Sequence, residues 1–264
     1  MTNKKYELTN ESMELTGDVT VYRIRALRDF ADVKKGQLGG FIQHEANLSH
    51  EGDAWVCDDA KVFNKARVIE NARVVTDATV YDAAVIGKSA TVGGSAKVYE
   101  NAIVCGHAWV TGYANVCGKA VIKDRAMVSD RAVVAGKALI GMYSRVGGST
   151  MVGDEAEILT KSNVKFLYID ACIRGSARIL SKKDVITIGP IGSRASTLTA
   201  YRSLKSYVTG IEVSTGCFNG SLKAFEYQVY KSHGDDYVNL EQYRAAITFI
   251  EKFFEIGKGL KKHG

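Results

Sequence analysis

The chain has 264 residues, a formal net charge of +6 and a single proline. That length allows one elongated or two compact domains, and the mild positive balance excludes a DNA mimic, which needs a dense acidic surface. No apolar run is long enough to span a bilayer and no secretory signal opens the sequence, so a cytoplasmic protein with no membrane partner is expected.

In chain order, residues 1–53 read as an N-terminal cap. "VTVYRIRAL" alternates like a strand, "KKGQLGGF" has turn chemistry, and "HEANLSHEGDAWV" leads into a repeating segment. A cap is needed there because a bare strand edge would pair with other chains.

From Ala54 a small residue recurs every six positions. Alanine stands at 54, 60, 66 and onward to 138, followed by Ser144, Thr150 and Ala156. Two places after each small residue stands Val or Ile, from Val56 to Ile158, giving eighteen hexads without an insertion. An amphipathic helix repeats near 3.6 residues, so this period means a short strand and a turn, wound into a parallel β-helix. The expected fold class is therefore mainly β, a β-helix over residues 54–182 with a small α/β module after it. Cysteines number five: Cys57, Cys105, Cys117, Cys172 and Cys217. An odd count without a CxxC pair argues against a disulfide framework or a zinc site, and no metal or cofactor is expected. Three of them follow an inward valine, which predicts thiols packed in the core.

These hexads resemble the hexapeptide-repeat family. The resemblance covers about 110 residues and implies a left-handed, triangular coil with three hexads per turn, hence about six coils. It also implies homo-oligomers, trimers above all. The lead-in "YRIRAL…LGGFI…NLS…G…AWV" further resembles bacterial and phage proteins commonly described as polymer-forming or cytoskeletal.

Stacking at i, i+18 sorts the outward positions into columns. One column reads Arg67, Val85, Ile103, Val121, Leu139, Glu157, with four apolar members where a spacer should face water. Either the C-terminal region covers this face or it is a self-association interface formed by Val85, Ile103, Val121 and Leu139. Lys119, Lys123, Arg125, Arg131, Lys137 and Arg145 make the later coils basic. Only Tyr113 and Tyr143 stand near them, which argues against a nucleic-acid groove.

After Ile158 the register slips by three, with Ala171 and Ile173 followed in the new phase by Ala177 and Ile179. Residues 183–264 read as the α/β module. Strands are expected at "DVITIGPIGSR", "TLTAY" and "YVTGIEVSTG". A helix comes next, with Ser221 as its cap, Leu222, Phe225 and Val229 on one face, and Gly234 at its end. A second helix begins at Asn239, with Gln242 in a capping-box position, and buries Tyr243, Ile247, Ile250 and Phe254 before Gly257.

His107 is the only histidine among the hexads and the one candidate for a catalytic base. Its column, Asn71, Ser89, Arg125, Tyr143 and Lys161, supplies no carboxylate to orient it, and no loop leaves the coil to shape a cleft. A ligand site is expected in the C-terminal module instead. Gly189, Gly192, Ser193 and Arg194 carry the parts of an anion nest: amide groups freed by glycine, a hydroxyl and a guanidinium fork. Cys217 and Asn219 lie on a second glycine-bearing loop, read as preceding a helix N-terminus, and His233 stands beside Asp235 and Asp236. The module resembles C-terminal pieces of phage and mobile-element proteins. The resulting expectation is a non-enzymatic binding protein, a phage or mobile-element factor engaging a host protein or a nucleotide-like ligand. An acyltransferase acting between subunits and a polymer-forming structural protein are the alternatives.

Overall fold

Two extended residues, a link and a two-residue turn form the unit of the coil, and this unit recurs through residues 54–161. A computed structural model describes residues 4–161, 171–204, 210–234 and 236–259. The fifth residue of every hexad but the last takes a left-handed backbone, as at Asp58 (φ 52°), Asn64 (56°), Asp82 (56°) and Gly106 (76°). Glycine, Asn and Asp tolerate that region best, which explains the bias at this position.

Twenty short strands, β4 (Trp55–Val56) through β23 (Arg178–Ile179), stack into three parallel sheets. Before the slip, outward residues donate their amides to carbonyls seventeen residues on, as in Arg67 N to Ala84 O at 2.9 Å. The result is a parallel β-solenoid of about seven turns. The inward alanines and the Val or Ile two places later are almost wholly removed from water and form one continuous core. The three-residue slip is absorbed without ending the stack. Met151 pairs with Cys172 and Glu157 with Arg178, twenty-one residues apart, so a last turn closes the coil.

The turns carry a second ladder. Asp58 accepts the amide of Thr76 (2.9 Å), Asp82 that of Glu100 (3.1 Å), Glu100 that of Gly118 (2.6 Å), Asp124 that of Met142 (2.9 Å) and Asp130 that of Gly148 (2.9 Å). Beside the Asp82–Glu100 ladder, Phe63, Tyr81 and Tyr99 stack with centroids 5.2 and 5.0 Å apart, at 7° and 4° between ring planes. The next residue in that column, Cys117, bonds Tyr99 and holds its phenol above the ordinary range, with burial adding to the effect.

A parallel coil is polar: its first turn presents unbonded carbonyls and its last presents unbonded amides. At the start, β1 (Tyr6–Leu15), β2 (Val19–Ala26) and β3 (Leu38–Ile42) form an antiparallel meander, and β3 adds to one face of the coil. Phe41 N and Gln43 N bond Ala60 O and Val62 O there. On the second face buried Asn47 donates to Asn64 O (3.0 Å) and Ala66 O (2.8 Å). On the third, buried Lys5 donates to Gly52 O (3.2 Å) and Ala54 O (2.8 Å). Burial, with Arg28 nearby, pushes the Lys5 ammonium down to about 8.

The opposite end is met by acceptors. A four-stranded sheet, β24 (Val185–Ile191), β25 (Ser196–Arg202), β26 (Ile211–Thr215) and β27 (Phe218–Ser221), lies over the last turn. Thr199 Oγ1 accepts from Cys172 N (3.1 Å), and Tyr201 Oη accepts from Arg174 N (3.2 Å). Asp184 accepts from Leu180 N (3.0 Å) and Ser181 N (2.8 Å). Residues of β25 alternate: Tyr201 joins the coil core, while Leu198 and Ala200 face the helices α1 (Leu222–His233) and α2 (Tyr237–Gly259) in a second core.

Several sequence expectations are corrected by this architecture. Gly39 and Gly40 belong to strand β3, not to a turn. A Cβ on Gly39 would stand 2.6 Å from the Trp55 ring and from Val56 O, so close approach is what requires glycine. Trp55, in the outward position between Ala54 and Val56, is nevertheless fully buried against Tyr6 and Phe30 because the cap covers it. The thiols are not enclosed: Cys57 packs against the core but, like Cys105, Cys117 and Cys172, is only half-buried, and Cys217 is exposed. Helix α2 starts at Tyr237, where Asp236 accepts from Asn239 N (3.2 Å), so Asn239 is inside the helix, which continues through Gly257. Helix α1 is capped as expected, with Ser221 accepting from Ala224 N (3.2 Å).

Candidate functional site

Two concave regions contain the candidate residues. The larger runs down one edge of the coil, between the face headed by Arg67 and the face headed by Trp55, and encloses about 1450 Å³. Asn71, Ser89, His107, Arg125, Tyr143 and Lys161, one stacked column, form one side of it. The turn residues Glu70, Lys88, Gly106, Asp124 and Met142 form the other. The column was legible from the period. The groove was not: no loop leaves the coil, yet the turn residues themselves wall a cleft. Its signal was the fifth hexad position, whose side chains project beside the column.

His107 lies midway along the groove and is exposed. Its backbone amide bonds Asp124 O at 2.6 Å, but among the described residues its imidazole has no hydrogen-bond partner. The Asp124 carboxylate is occupied by Met142 N, and that of Glu70 accepts from Lys88 N. A general base needs a group that fixes its ring and tautomer. None of the described residues supplies one.

The smaller region lies in the C-terminal module and holds about 280 Å³. It gathers Ser193, Arg194, Cys217 and His233 from three separate segments, together with Gln228, Ser232 and Tyr243. No carboxylate lines it among the described residues. His233 packs on Tyr243, with ring centroids 5.4 Å apart. Burial pushes the Tyr243 phenol up, while the Arg194 charge draws it back.

Other candidate residues fall elsewhere. Gly189 lies inside β24, which runs on to Ile191, so the turn starts only at Gly192. Gly192 (φ 71°) donates to Gln242 Oε1 (3.2 Å), and a Cβ there would collide with the Tyr243 hydroxyl. Its role is to admit Tyr243. Asn219 points to the other side of the sheet, where its Oδ1 accepts from Tyr201 Oη (2.7 Å). It belongs to the closure of the coil. Gly216 and Cys217 form the hairpin between β26 and β27, a strand away from the α1 N-terminus. The hairpin faces Gln228, Val229, Ser232 and His233 late in α1, so the helix dipole gives an anion no help there. Asp236 is taken up by Asn239 and is held below the usual carboxylate range by it. Asp235 lies outside the described residues.

Val85, Ile103, Val121 and Leu139 form a register-matched row on one face. Ile103 is 39 % exposed. The C-terminal module sits on the end of the coil, where its sheet packs on β22 and β23. The six basic residues of the later coils spread over all three edges and do not form a patch. Among the described residues, no three His, Cys, Asp or Glu side chains gather closely enough to hold a metal ion. Among the described residues, no helix is long and apolar enough to cross a membrane.

What this geometry defines is a parallel β-solenoid with a small α/β module seated on its last turn. Comparison with protein-family models and with curated proteins found no match to the chain.

Proposed function

We propose that this is a non-enzymatic binding protein of the hexapeptide-repeat type, whose rigid coil presents a C-terminal pocket for a phosphate or small carboxylate group. The observation that carries the reading is the lining of the 280 Å³ cavity: Arg194, Ser193, Gln228, Ser232, His233 and Tyr243 supply donors, with no carboxylate beside them among the described residues. Arg194 has no ion-pair partner among the described residues, which leaves its fork available to an anion. The volume suits one anionic group, so a nucleotide would insert a phosphate and leave its base outside. The phage-like lead-in and module make a host-derived ligand or protein the natural partner, and the cytoplasm the natural compartment. Both closed coil ends count against a polymer built by adding turns.

Titration calorimetry with inorganic phosphate and with ATP tests the reading. Binding that disappears in Arg194→Ala, with the fold retained by circular dichroism, is expected. Equal binding by the variant, or none by the wild type, overturns it. A second reading, an acyltransferase, is favoured by the edge groove around His107. Acetyl-CoA binding lost in His107→Ala would support it in preference.

A further inference from the structure

The face bearing the apolar row has a property that goes beyond ligand binding and does not depend on the C-terminal pocket. Along its centre the register runs Arg67, Val85, Ile103, Val121, Leu139, Glu157. The column on one side starts with Lys65 and ends with Glu155, and the column on the other starts with Ile69 and ends with Leu159. Two cations therefore stand at one end of the face and two carboxylates at the other, about 24 Å away at ~4.8 Å per strand step. The aliphatic ends match too. Ile69 lies over Gly87 and Leu159 over Gly141, since a Cβ on either glycine would touch that neighbour, at 3.4 and 2.9 Å.

Taken in reverse order, the two ends of the face complement each other, while Lys119 and Lys123 flank Val121 near its centre. We infer that the face pairs with the same face of a second copy, with the two coils antiparallel about a two-fold axis crossing between Ile103 and Val121. That axis sets each column against itself in reverse order. Arg67 meets the partner's Glu157, Lys65 meets Glu155, Val85 meets Leu139, Ile103 meets Val121, and Ile69 meets Leu159. A side-by-side pairing with parallel axes sets Arg67 against Arg67 and Glu157 against Glu157, and like charges in apposition oppose it. Lys65 and Arg67 have no ion-pair partner within the described chain. Glu155 and Glu157 already hold Lys137 (3.1 Å) and Arg178 (3.6 Å), so the incoming cations complete exposed networks. A two-fold contact is isologous and closes at two copies. The flat area is roughly 400 Å² per copy, about half of what a stable interface buries per partner, so the dimer is weak and in concentration-dependent exchange.

Sedimentation of the full chain over a concentration series tests this. A species of twice the 28.7 kDa chain mass is expected to grow with concentration and to recede with added salt. Arg67→Glu alone and Glu157→Arg alone should each weaken self-association by ~10-fold or more, because each sets like charges together twice across the axis. Mixing the two variants should restore a dimer, since the mixed pair regains both opposite-charge contacts. Circular dichroism of each variant separates lost pairing from lost fold. Wild type that stays monomeric or forms a trimer overturns the inference. So does an Arg67→Glu variant that associates undiminished, as parallel pairing requires, or a mixture that does not recover.

Discussion

The two ends of the coil face opposite chemical problems. At the first turn carbonyls point outward, and the chain answers with donors: Lys5, Asn47 and the amides of β3. At the last turn amides point outward, and the answer is acceptors: Thr199, Tyr201 and Asp184. In between, each turn is the partner of the next, and no special residue is needed. The polarity of a parallel ladder thus dictates the chemistry of its closures, because a buried unpaired group costs about 1–3 kcal/mol.

The strongest way to break this comparison is to put the wrong chemistry at the first turn. Asn47→Asp replaces a buried donor with a carboxylate facing Asn64 O and Ala66 O. It should lower stability at neutral pH by about 3–5 kcal/mol, measured by denaturant unfolding, since the buried charge has no partner. A loss below ~1 kcal/mol would mean that these carbonyls do not need a donor. Tyr201→Phe tests the other end. It strips the acceptor for Arg174 N and the donor to Asn219, and a loss of about 1–3 kcal/mol is expected.

The smallest effect is a slope. Lys5 titrates near 8 in the fold against 10.5 when unfolded, so between these values the unfolded chain holds a proton that the folded chain has shed. Stability should therefore rise with pH through this window, the full penalty being present below about 8. Comparison of wild type with Lys5→Met from pH ~8 to ~10 isolates the slope. Above that range the raised Tyr6 phenol works in the opposite sense. A wild-type curve no steeper than the variant's would remove the desolvated ammonium from the account.

The body of the coil was legible because a small residue and a β-branched one at fixed spacing admit one inward packing, and Ala171 and Ile173 announced the slip directly. Three of the module's four strands and the Ser221 cap came from local rules as well, while β27 (Phe218–Ser221) reads as a loop. What escaped were features set by distant segments. Trp55 reads as a spacer until Tyr6 and Phe30 arrive from the cap, and Gly39 reads as a turn until the Trp55 ring fills the space beside it. Ser193, Arg194, Cys217 and His233 were each visible as chemistry, but not as neighbours. Asn219 looked like one of them, and strand alternation turned it to the other side. The edge groove escaped because its other wall is built by the left-handed turn position, whose side-chain direction the six-residue period does not specify.

The paired closures also make the coil a ruler. The distance between the N-terminal meander and the C-terminal pocket is a count of hexads, and neither stopper senses how many lie between. Inserting or deleting eighteen residues at a turn would move one module relative to the other in increments of about 4.8 Å, with both seals left intact.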